Sequence, residues 1–232
     1  EIKFYYNRFE ELDKRKGAIL KIIEEQEKLT PELRREIEEC LDPNILEDIY
    51  LPYRPKRRTK ASIAKEKGLE PLALEILEMK SADCLNSAKR FITENVPSGE
   101  DALQGARDII AEIISESSPI RESLRGQYCK YAKIVSVQQK GLDAQNEESS
   151  KYRNYFDFSG NISNMPSHRV LALLRGANEG ELSIKLEVDS DYSLNIIKRE
   201  LFRNKSNISG SCRRQIEIAS EDSYKRLLHP SI

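Results

Sequence analysis

The sequence predicts a mainly α, multi-helical protein with a helical hairpin, a helix-turn-helix-like portion and a minor two-stranded β element. Three observations carry that expectation. Leu, Ile, Glu, Lys and Ala dominate at helical spacings, while glycine and proline are sparse. Proline recurs directly behind a residue able to cap a helix, at Thr30-Pro31 and Asp42-Pro43, a pairing that starts helices. Strict alternation of apolar and polar residues, the mark of a half-buried strand, is convincing only over Leu182, Ile184, Leu186 and Val188.

Taken in order, Ile2, Tyr5, Phe9, Leu12, Ile19 and Ile23 give one long amphipathic helix over residues 2–29, interrupted on its apolar face by Lys16. A second helix starts at Thr30-Pro31, with Leu33, Ile37 and Leu41 on its buried face, and folds back on the first as a hairpin. A short third helix runs from Asp42-Pro43 to Tyr50, and Pro52 ends it. Thr59 caps a helix that Gly68 terminates, and Pro71 starts another. Further helices are expected over 82–94, over 99–117 behind Ser98 with Asp101 as its capping partner, and from Pro119 to about Lys133. The short helices of residues 59–94 suit a helix-turn-helix arrangement.

The texture changes near residue 134, which divides the chain into a helical region, 1–133, and a central region, 134–232, of helices plus a small β element. Ile134 to Val137 is β-branched and is the possible partner of the strand at 182–188; residues 138–150 read as a polar loop. Pro166-Ser167-His168 opens a helix through Arg175 that Gly176 closes, and helices over 191–204 and 209–228 end the chain. The sequence begins without methionine, in mid-pattern, and stops just after Pro230, so it is expected to be a piece of something longer.

Lys plus Arg total 38 against 39 for Asp plus Glu, a net charge of -1. A chain that coats itself with nucleic acid carries a clear positive excess, so any such face here is a local patch. Cys40, Cys84, Cys129 and Cys212 stand far apart without a C-x-x-C pair, which reads as reduced, mostly packed thiols rather than a zinc or redox framework. No apolar run approaches the roughly 20 residues that span a bilayer, and no membrane partner or signal peptide is expected.

Catalytic motifs are missing: no Walker-type loop, no G-x-G-x-x-G and no H-E-x-x-H. His168 and His229 have no metal-ligand partner at helical spacing. The expectation is a protein without enzyme activity, cofactor, metal or small-molecule substrate. The residues that draw attention are basic. "PYRPKRRTKA" sets Arg54, Lys56, Arg57, Arg58 and Lys60 between two prolines and a helix start. They read either as phosphate contacts that release counterions, or as structural partners of the acidic helices near residues 24–48, with Tyr50 and Tyr53 stacking on guanidinium faces. Arg169, at a helix start where backbone N–H groups favour an anion, with Arg175 is a second candidate phosphate site. The blander reading has Ser167 capping that helix and His168 packing on the sheet. A further cluster, Lys198, Arg199, Arg203, Lys205, Arg213 and Arg214, reads as a solvated interdomain face in preference to a continued groove. The aromatic run Tyr152, Tyr155, Phe156 and Phe158 resembles a base-stacking platform but is expected to be core.

Several runs together resemble the Tex family of transcription accessory proteins: "ELDKRKGAILKIIEEQEKLTPELRREIEE", "LEDIYLPYRPKRRTKASIAKEKGLEPLA", "GARDIIAEIISE", "KYRNYFDFSG" and "PSHRVLALLRGANEGELSIKLEVD". They occur in order over essentially the whole chain, and "RRQIEIASEDSYKRLLHPSI" looks like the entry into that family's next domain. The resemblance implies a multidomain cytosolic factor, similar to a eukaryotic elongation factor that handles histones. A ribonuclease-H-like domain, helix-hairpin-helix repeats and a C-terminal OB-fold RNA-binding domain would follow the part seen here. It further implies a nucleic-acid partner, RNA or DNA, engaged mainly through those later domains, and contact with the transcription machinery. The expected function is therefore a noncatalytic, cytoplasmic scaffold that assists nucleic-acid binding. A protein-docking platform on the transcription or RNA-processing machinery is the alternative.

Overall fold

The computed structural model describes residues 2–55, 58–80, 83–139, 151–203 and 210–232, with side chains from residue 6 onward. The described residues form eleven α-helices and a three-stranded antiparallel sheet. They divide into two compact units, residues 1–122 with 197–232, and residues 123–196. The change of texture at 134 marks the first strand, whereas the units part inside a helix, which composition cannot register.

In the first unit, α1 (Ile2–Glu25) buries Leu12, Lys16, Ile19 and Ile23 along one seam. Against it lie Ile37 of α2 (Pro31–Glu39) and Leu46, Ile49 and Tyr50 of α3 (Pro43–Tyr50). Lys16 does not break the seam, because its aliphatic stem packs there while Nζ donates to the Glu38 carbonyl at 2.8 Å. The caps act where the sequence places them. Thr30 Oγ1 accepts from the Leu33 N–H, and Asp42 Oδ1 accepts from the N–H groups of Asn44 and Ile45. α1 stops at residue 25 rather than 29: Glu27 takes φ 56, and the N–H of Lys28 donates back to the Ile23 carbonyl.

α4 (Lys60–Glu66), α5 (Glu70–Leu77), α6 (Cys84–Ala88) and α11 (Gly210–Ser223) all pack around α7 (Gly99–Glu116). α7 buries Leu103, Ile109, Ile110 and Ile114. Gly68, at φ +76, closes α4 as its position suggests. The helix anticipated over 82–94 is only α6 followed by a 3₁₀ turn, Lys89–Phe91, because the chain turns at an isolated bridge between Thr93 and Val96. α11 ends in a π-helical turn, Tyr224–Leu228.

The second unit holds the sheet, in the order β2-β1-β3. β1 (Lys133–Gln138) pairs with β3 (Leu182–Glu187), the pairing that the sequence offers, and also with β2 (Asp157–Asn161), which makes three strands in place of the anticipated two. On the covered face, Ile134 and Leu182 join Tyr152 and Leu173, and Tyr155, Phe156, Phe158 and Ile184 pack against them. The aromatic run is thus core. Leu173 comes from α9 (Ser167–Asn178).

Two details of α9 differ from the expectation. Gly176 lies inside the helix, and Gly180, at φ +77, closes it; the N–H of Glu181 donates to the Gly176 carbonyl and that of Gly180 to the Ala177 carbonyl. Pro166 occupies the capping position, Ser167 caps nothing, and His168 is exposed rather than packed on the sheet. α8 (Ser118–Tyr131) and α10 (Ser190–Phe202) complete the chain. Ser193 Oγ donates to Gln127 Oε1 at 3.0 Å, which clips α10 to α8 within this unit.

Candidate nucleic-acid interface

The basic run leaves α3 through a 3₁₀ turn, Leu51–Tyr53, in which Pro52 accepts a fixed φ without losing a needed donor. The turn is anchored just beyond the end of α1, where Gln26 Nε2 donates to the Tyr53 carbonyl at 2.8 Å. Arg54 follows in extended conformation, with φ -63 and ψ 130. At the far end Thr59 makes a reciprocal capping box with Ser62, its N–H donating to Ser62 Oγ and its Oγ1 accepting from the Ser62 N–H. Thr59 Oγ1 also donates to Glu112 Oε1 of α7 at 3.1 Å. Both ends of the run are therefore fastened to other parts of the unit. Thr59→Val is expected to lose about 1–2 kcal/mol in urea unfolding through the lost cap.

Arg54 and Arg58, between the anchors, and Lys60, just beyond, are exposed. Arg54 and Lys60 form no ion pair among the described residues, and Arg58 reaches only Glu66 of the following helix, at 3.4 Å. Lys56 and Arg57 lie outside the described residues. The acidic helices near 24–48 do not pair with Arg54, Arg58 or Lys60; Arg15 takes that part instead, bonded to Glu47 at 2.6 Å and stacked over Tyr50 at 5.2 Å. The hydrogen bond to Glu47 raises the Arg15 pKa further above its ordinary value.

Arg54 also lines a cleft of about 220 Å³ together with Leu51, Glu112, Glu116 and Arg121. Its two glutamates offset the two arginines that line it. Beneath lies an ion pair that sequence reading missed. Arg121 Nε donates to Asp48 Oδ1 at 2.7 Å, and Arg121 and Asp48 are 7 % and 4 % exposed. Asp48 and Arg121 each look like one more charge on a charged helix, and only their burial separates them from the rest.

Arg169 and Arg175 are not brought together. Both are exposed on α9, six residues apart, which is about 9 Å along the axis and about a third of a turn round it. Arg169 stacks over Phe158 at 5.6 Å. Arg175 lies in the last turn, near Glu179, whose carboxyl is held below its usual range chiefly by the hydrogen bond from Lys151, with a smaller contribution from the Arg175 charge. In the later basic cluster four cations share two carboxylates. Arg199 and Arg203 sit 3.6 Å from Glu200, Arg213 and Lys198 share Glu217, and Arg213 stacks on Phe202. Lys205 lies outside the described residues. Among the described residues no three His, Cys, Asp or Glu side chains converge to hold a metal, and no helix is long and apolar enough to cross a membrane.

Comparison with known proteins decides the family. The family model described as Tex central region-like matches residues 79–226. This chain belongs to the Tex family. The transcriptional accessory protein Tex of Neisseria gonorrhoeae is 44% identical over 181 residues, covering 78% of this chain and 24% of that protein. Protein tex of Bordetella pertussis is 40% identical over 180 residues, 75% of this chain and 22% of the relative. The human S1 RNA-binding domain-containing protein 1 is 24% identical over 226 residues, 94% of this chain and 22% of its own length. The chain thus spans about a quarter of the length of the Tex proteins it matches.

Proposed function

We propose that this chain is a noncatalytic helical scaffold within a Tex-family transcription accessory factor, assisting the capture of RNA or DNA by the full-length protein in the cytoplasm. The observation that supports this is the basic run anchored by Gln26 at Tyr53 and by Glu112 at Thr59, with Arg54 and Arg58 exposed between these points and Lys60 exposed just beyond. Such cations displace condensed counterions from a phosphate backbone. α4 and α5, separated only by residues 67–69 with Gly68 in the left-handed region, supply a helix-turn-helix-like portion beside the run. The RNA-binding domain in the name of the human relative favours RNA as the partner of the whole protein.

The test is fluorescence anisotropy of labelled single-stranded RNA and duplex DNA at several salt concentrations. The expected log–log slope is about -3, for some four phosphates on a single strand, and Arg57→Glu with Arg58→Glu should abolish the binding. No binding by this chain at low salt, or unchanged binding by the double variant, would overturn the proposal.

A second reading, a protein-docking platform, is favoured by Tyr6 and Phe9. These stand one turn apart on α1 and are 67% and 51% exposed. Binding carried by that face would persist at high salt and be lost in Tyr6→Ser with Phe9→Ser.

A further inference from the structure

Cys84 opens α6 and Cys212 lies in the first turn of α11. Both are 0% exposed, and their sulfurs stand 2.9 Å apart. A disulfide bond is about 2.05 Å long, so the remaining approach is roughly 1 Å. The backbone holds the pair in register as well, because the Cys84 N–H donates to Ser211 Oγ at 3.0 Å. Neither cysteine has a role in the proposed interface.

We propose that Cys84 and Cys212 are a cross-linking site, converted by an oxidant of the peroxide class into a disulfide that staples α6 to α11. One thiolate attacks the peroxide; its S–O bond forms as the O–O bond breaks, and water leaves. The second sulfur then attacks the resulting sulfenic acid; the S–S bond forms as the S–O bond breaks, and a second water leaves. Two thiols and one hydrogen peroxide become one disulfide and two waters. Burial, aided by the hydrogen bond to Cys212, pushes the Cys84 thiol up to about 12. Thiolate is therefore scarce while the site is closed, and the reaction proceeds through local opening of α6, a helix of only 5 residues.

Chain order makes the staple consequential. The whole unit 123–196 lies between the two cysteines, so the bond closes a loop around it and ties the returning segment, 197–232, to the first part of its own unit. Closing so long a loop restricts the unfolded chain more than the folded one.

The experiment uses the full chain carrying Cys40→Ser and Cys129→Ser, which leaves only the pair. After peroxide treatment, unfolding, alkylation and digestion, the expected product is a Cys84–Cys212 peptide lighter by two hydrogens. Tm should rise by on the order of 10 °C and fall back with dithiothreitol. In the unsubstituted chain the exposed Cys129 reports that the oxidant reached the protein. Full alkylation of both cysteines, sulfinic acid at either, or a linkage between two chains would overturn the proposal. A disulfide without a rise in Tm would overturn the staple.

Discussion

Arg121→Met should lose about 3–5 kcal/mol of unfolding free energy, one of the two largest effects expected from single substitutions here. The guanidinium is 7 % exposed and all three of its nitrogens are engaged. Nε donates to Asp48 Oδ1, Nη1 to Ser231 Oγ and the Ser115 carbonyl, and Nη2 to the Ser231 carbonyl. Methionine fills comparable volume but leaves the Asp48 carboxylate buried without that charge, and Ser231 at the chain end loses the donor to both its Oγ and its carbonyl. Urea unfolding of the variant measures the loss, and hydrogen exchange over 224–232 should accelerate. Arg121→Lys keeps the charge but not the planar fork, and should fall between the two. Adding Asp48→Leu to Arg121→Met should recover most of the loss, because an apolar pair avoids the cost of keeping the carboxylate buried. If the double variant is as unstable as the single one, the hydrogen bonds to Ser115 and Ser231 carry the stability instead.

Gly176→Ala should lose about 1–3 kcal/mol, and Gly176→Val more, even though a residue with a side chain is ordinarily the better helix former. A Cβ at 176 would stand 2.6 Å from Leu182 Cδ1 and 3.1 Å from Tyr152 Cδ1, both buried residues. Helix α9 approaches β3 closely only because that position has no side chain. Gly180 has open space around it and is required for its φ of +77 instead. Gly180→Ala should therefore lose about 1 kcal/mol through backbone strain. The two variants separate in combination with Leu182→Ala, which should relieve Gly176→Ala and leave Gly180→Ala unchanged.

Helix starts were legible because their chemistry is local. Thr30, Asp42, Thr59 and Ser98 each accept from a backbone N–H two or three residues on, and each stands in the sequence beside a proline or a short polar signature. Helix stops were legible only where glycine makes them, as at Gly68. At Glu27 and Met79 an ordinary side chain occupies the left-handed region, and nothing in residue type announces it. β2 escaped notice for a related reason. "DFSGN" holds one apolar residue, a glycine and an aspartate, a poor strand by intrinsic preference. It becomes one because β1 offers it a ladder and Phe158 joins the aromatic core.

The basic run was conspicuous, since five cations within seven residues stand out in any composition. Its fastening was not. Gln26 and Glu112 are far from it in sequence, at separations of 27 and 53 residues from the groups they hold. The resemblance of longer runs pointed to the family, while local periodicity and capping determined which segments are helices. These signals act over a few residues and survive any packing arrangement. Tertiary structure alone decided that Asp48 meets Arg121, that Gly176 admits a strand, and that Cys84 faces Cys212 across 128 residues of chain. Each of these depends on two surfaces brought together by packing, and the energy of a charge, a missing methyl or a thiol is set by what lies across that contact.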